Sequence, residues 1–88
     1  MTQAGSSYPL LRKGERVTDD VAATAHERAT RTREEVLIRT SGDWNNASTM
    51  KARMEKSKAF EPYAADLVWY CQRIGPDVIG LYVAAHDG

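Results

Sequence analysis

The chain has 88 residues, with 12 basic and 12 acidic side chains and no net formal charge. That length holds one domain near the lower size limit for a self-sufficient core, and the charge balance excludes a whole-surface electrostatic affinity for nucleic acid or membranes. A single cysteine, Cys71, excludes an intramolecular disulfide.

No apolar run approaches the roughly 18–20 residues of a membrane span. The opening Met-Thr-Gln-Ala-Gly-Ser-Ser lacks the basic and apolar regions of a signal peptide. Both features point to a cytoplasmic protein without a membrane partner. Residues 1–17 read as a flexible N-terminal arm and 18–88 as a single helical domain. Within the arm, Tyr8-Pro9-Leu10-Leu11 is a short apolar clasp, extended because a residue before proline avoids helical geometry.

Thr18 followed by Asp19-Asp20 is a helix start, a capping hydroxyl ahead of acids that favour the positive end of the helix dipole. The spacing Val21, Ala25, Ala29, Thr32, Val36 predicts a helix over 18–40 with a seam of small residues. Ser41–Asn46 is a turn by composition, with Trp44 as its anchor at the rim of the core. Asp43 or Ser48 caps a second helix over 44–60, whose thin apolar face is Ala47, Met50 and Met54.

Pro62 and Gly75-Pro76 bracket the most apolar stretch, with proline suited to a first helical turn and Gly-Pro to a stop. Tyr63, Leu67, Tyr70 and Ile74 recur at helical spacing, with Ala64, Val68 and Cys71 beside them, which predicts a helix over 62–74. Cys71 then reads as a small buried hydrophobe. A last helix is expected over 77–86, with Val78, Leu81, Tyr82 and Ala85 on one stripe. The fold class expected is therefore all-α, a three- to four-helix bundle. Its predicted core is Val21, Val36, Met50, Met54, Tyr63, Leu67, Tyr70, Ile74, Leu81 and Tyr82. The alternative is α+β, with residues 36–39 pairing as a strand with 78–83.

Trp69 falls off the apolar stripe of the expected central helix, beside Asp66 and Arg73. An exposed tryptophan with arginine one turn away has the composition of a protein-interface hot spot, so Asp66, Trp69 and Arg73 are the candidate interface. A second candidate is a phosphate-binding surface for nucleic acid or a phosphorylated ligand, formed by Arg28, Arg31, Lys51, Arg53, Lys56 and Lys58. Glu27, Glu34, Glu35 and Glu55 interrupt that run, which favours intrahelical ion pairs.

His26, Glu27, Asp66, His86 and Asp87 could ligate a metal, but the two histidines lack a second ligand at helical spacing, so no metal site is expected. No phosphate loop, dinucleotide fingerprint or nucleophile elbow is present, and no cofactor is expected. The function these features support is non-catalytic. It is that of a small intracellular adaptor or inhibitor acting through protein contacts, including self-association as a homo-oligomer.

Overall fold

The computed structural model describes residues 9–12 and 14–86. Helix α1 spans Asp19–Arg31, and the Thr18 hydroxyl accepts a hydrogen bond from the Val21 N–H at 3.3 Å. Its buried face is Ala22, Ala25 and Ala29, small side chains that bring the helix axis close to the layer beneath. The helix stops well short of the expected residue 40. Arg33 takes a left-handed φ of 60°, and the Glu34 N–H reaches back to the Arg28 carbonyl at 3.4 Å.

Strand β1 follows at Val36–Ser41. Asp43 then caps helix α2, Trp44–Glu55, through a 2.7 Å bond from the Asn46 N–H to its carboxylate. A 3₁₀ helix, Glu61–Asp66, carries Pro62 in its first turn. Strands β2, Leu67–Gly75, and β3, Val78–Ala85, complete the chain. The order across the sheet is β1-β3-β2, antiparallel throughout.

The architecture is α+β, not the all-α helical bundle that the helical spacing predicts. The helices expected over 62–74 and 77–86 are the two arms of a hairpin. Leu-Val-Trp-Tyr-Cys-Gln-Arg-Ile is rich in β-branched and aromatic side chains, which pack well on a pleated surface. Gly75 pairs with Val78 across a two-residue Pro76-Asp77 turn, and proline's fixed φ suits such a turn. The Arg73 guanidinium closes it, donating to the Pro76 carbonyl at 2.8 Å. Period two also accounts for Trp69, which aligns with Leu67 and Cys71 on one face of a strand.

That face meets the helices. Leu11, Val36, Ile38, Met54, Phe60, Leu67, Leu81 and Val83 form one buried cluster with the three alanines of α1. Of the expected core, Val36, Met54, Leu67 and Leu81 are buried. Val21, Met50 and Tyr63 pack half-buried against it. Ile74 is 43 % exposed, on the opposite side of the sheet. Phe60, Leu37, Ile38, Ile79 and Val83 are core residues that helical spacing does not reveal.

The pairing of 36–39 with 78–83 is present: Val36 lies opposite Val83 and Leu37 opposite Tyr82. Ile38 is the extra residue of a bulge, with Arg39 next opposite Leu81. The bulge leaves two consecutive carbonyls pointing off the outer edge of β1. The Leu10 N–H donates to the Leu37 carbonyl at 3.1 Å, and the Leu11 N–H to the Ile38 carbonyl at 2.9 Å. Arg39 secures this segment by donating to the carbonyls of Arg12 and Glu15. Leu11 is thereby buried in the core, whereas Tyr8, the first residue of the expected clasp, lies outside the described residues.

Candidate functional site

The three residues expected to form one interface are spread along the sheet. Asp66 ends the 3₁₀ helix and sits 3.0 Å from His26 Nε2 on α1, where His26 stacks on Tyr63 at 4.4 Å between centroids. This is a tether between α1 and the 3₁₀ helix. Trp69 is half-buried on the helix side and meets Phe60 edge-to-face at 4.8 Å. Arg73, exposed, is about 23 Å further along than Asp66 at strand rise. The expectation that these three share a face depends on helical geometry, and β2 does not supply it.

The six cations of the second candidate are also divided. Arg28 pairs with Glu34 at 2.9 Å, Arg31 with Glu27 at 2.9 Å and Lys51 with Glu55 at 3.6 Å. Bonds from Arg28, then from the Thr32 hydroxyl, hold the Glu34 carboxyl below its ordinary range. Arg53, Lys56 and Lys58 have no carboxylate partner among the described residues, and Arg53 lines a cleft.

His26 and Asp66 do come together, but among the described residues no third His, Cys, Asp or Glu joins any such pair to complete a metal-binding group. Asp87 lies outside the described residues. Cys71 is half-buried beneath α2, its thiol 3.7 Å from the Ala47 carbonyl, and burial pushes its pKa up. Among the described residues no helix is long and apolar enough to cross a membrane.

Two surfaces stand out once the fold is known. The first is the sheet face opposite the helices together with the outer edge of β2. Leu37, Ile74 and Tyr82 converge over Gly80, where a Cβ would lie 2.9 Å, 3.3 Å and 2.8 Å from their side chains. Tyr70 stacks on Tyr82 with centroids 5.5 Å apart and planes at 9°. The Tyr70 hydroxyl has no hydrogen-bond partner among the described residues. Burial, and then the Glu35 carboxylate nearby, raises its pKa well above that of an ordinary tyrosine. Val68, Ile74 and Val78, at 38–43 % exposure, are three of the four large apolar side chains left open to solvent among the described residues. They have no covering layer among the described residues.

The two edges of the sheet differ. The N-terminal segment covers that of β1, whereas among the described residues the nine residues of β2 have β3 on one side only. Exposed edges in folded proteins are ordinarily guarded by lysine, proline, inward charges or shortness. β2 contains no lysine and no proline, and Arg73 is its one charged residue.

The second surface is a groove along α2, from its N-cap Asp43 to Arg53 in its last turn. One cleft of about 590 Å³ is lined by Asp43, Trp44, Asn45, Asn46, Thr49 and Arg53. Another of about 590 Å³ shares Asn46 and Arg53 and continues past Arg39, Ser41 and Arg12 to Asp77. Trp44, expected as a loop anchor, is instead the first residue of α2 and is 44 % exposed.

Comparison with protein families, with curated proteins and with solved structures finds no match for this chain.

Proposed function

We propose that this is a non-catalytic, cytoplasmic binding protein that acts by stoichiometric protein contact, and that its contact surface is the open edge of β2. A second copy of the chain is the partner that fits this edge. The observation that carries the reading is the unguarded nine-residue edge beside an apolar face that no other described residue covers. Backbone donors and acceptors along such an edge gain partners when another strand is added, and the apolar side chains beside it lose contact with water.

The register follows from the strand itself. Groups on an antiparallel strand alternate between its two edges, so outward-facing groups oppose each other only when paired residues differ by an even number. Pairing Leu67–Gly75 with its own copy over the whole length places Cys71 on the two-fold axis. Val68 then lies opposite the copy's Ile74, and Tyr70 opposite its Gln72. Trp69 lies opposite its Arg73, so two members of the expected interface meet between chains. Ile74 is the extra residue of a bulge against β3, yet its side chain stays on the open face with Val68. Placing Tyr70 on the axis instead would set Val68 against Gln72 and Leu67 against Arg73, apolar against polar in both cases.

Sedimentation velocity on a charge-exchange series tests this reading. The unsubstituted chain is expected to dimerise, and Val68→Glu and Ile74→Lys each to be monomeric. The double variant regains the dimer, because each glutamate faces a lysine of the copy. A monomer at every concentration, or a double variant that remains monomeric, contradicts it.

A further inference from the structure

Trp44 is the most exposed large apolar side chain among the described residues, and no other ring contacts it there. It stands at one end of the groove along α2. Three guanidinium groups follow within the same pair of clefts: Arg53 from α2, Arg39 from β1 and Arg12 from the N-terminal segment. None of the three has a carboxylate within 4.0 Å among the described residues, in contrast to Arg28, Arg31 and Lys51. Arg39 is turned toward the carbonyls of Arg12 and Glu15, so its position is fixed while its charge is not neutralised. Arg12 and Arg53 are exposed to solvent.

Two carboxylates also line the groove. Asp43 is committed to capping α2, accepting from the Asn46 N–H, and Asp77 lies at the far end on the hairpin turn. The three cations outnumber them.

An exposed indole offers a π-face on which any base can stack, and a guanidinium lining the same cleft, as that of Arg53 does, matches the oxygens of a phosphate. We infer that this groove binds a nucleotide unit, with its aromatic base on Trp44 and its phosphate held by Arg53 and Arg12. The unit can come from a free nucleotide or from a single strand, and the inference does not depend on pairing at β2. Of the cations expected from sequence to bind phosphate, it uses Arg53 alone.

The test is titration of tryptophan emission in a Trp69→Phe chain, where only Trp44 emits. Isothermal calorimetry on the unsubstituted chain repeats each comparison. Adenosine monophosphate and a short oligothymidylate are expected to quench saturably, and adenosine without phosphate to bind about ten-fold more weakly or less well still. Arg53→Gln weakens nucleotide binding about ten-fold, and Trp44→Ala by a similar factor or more. Arg31→Gln, whose arginine already pairs with Glu27, changes neither. An oligonucleotide that binds much more tightly than the mononucleotide assigns the site to a strand, and equal affinities assign it to a free nucleotide. No saturable signal from either probe overturns the inference. So does equal binding of adenosine and its monophosphate, or an Arg53→Gln chain that binds normally.

Discussion

Replacing Trp69 with alanine separates a core role from a surface role for the residue that sequence alone marks as the awkward one. The ring lies on the helix side of β2, half-buried, edge-on to Phe60 at 4.8 Å. A fully buried tryptophan removes on the order of 200 Å² from water. At about 25 cal/mol per Å² and two-thirds burial or more, less the roughly 1 kcal/mol that the alanine methyl retains, truncation costs about 2–4 kcal/mol. A domain of this size has a total stability of roughly 4–13 kcal/mol, so the variant folds, but with a midpoint lower by about 8–30 °C. Urea unfolding followed by far-ultraviolet circular dichroism reads this directly, with an unchanged denaturant slope expected. A double-mutant cycle with Phe60→Leu and Trp69→Leu then isolates the ring pair, expected at about 0.5–1.5 kcal/mol. A cost for Trp69→Ala below about 0.5 kcal/mol, the range of ordinary surface substitutions, would refute the placement of the ring in the core.

Glycine substitutions give opposite signs. Gly80→Ala pushes a methyl group against Leu37, itself buried, and Tyr82. Overpacking of about 1–3 kcal/mol exceeds the roughly 0.4–1 kcal/mol gained from a less flexible unfolded chain, so thermal denaturation shows a net loss. Gly42→Ala meets nothing within 4 Å and is expected to stabilise. Tyr70 and Tyr82 both have raised pKa values, from burial first and then from Glu35. Their contribution to stability is fully present below the unfolded-state value near pH 10 and is lost as the pH rises through the folded values. Unfolding free energy measured against pH should therefore fall in alkaline solution, and Glu35→Gln should lessen the fall. Burial also raises the pKa of the Cys71 thiol, so a disulfide-exchange reagent at neutral pH should modify it more slowly in the folded chain than in urea. Equal rates in the two conditions contradict the half-buried position.

What the sequence made legible divides by physical mechanism. Caps depend on one side chain and its nearest amides, so Thr18 with Asp19-Asp20, and Asp43 before Trp44, mark both α-helix starts. Periodicity in the C-terminal third misleads, because Tyr63, Leu67, Tyr70 and Ile74 satisfy helical spacing while Leu67, Trp69 and Cys71 satisfy a strand. The β-branched and aromatic content and the Gly-Pro-Asp turn were the signals that favour the hairpin. Val36-Leu37-Ile38, apolar all round a helix, fits a strand covered on one side by α1 and on the other by Tyr82. Phe60 gave no sign of its burial, since it stands outside any regular element. The clustering of Arg12, Arg39 and Arg53 was beyond reach for a different reason. It depends on the bulge at Ile38 and on the N-terminal segment lying along β1, both of which are tertiary events.

Whether β2 accepts another strand is tested most directly by amide hydrogen exchange across 67–75 as a function of protein concentration. Amides of β2 that bond to β3 are protected at every concentration. The alternate amides, which face outward, are expected to exchange quickly in dilute solution and to become protected as the second copy pairs. Outward amides that exchange at the same fast rate in dilute and concentrated solution would contradict pairing at this edge.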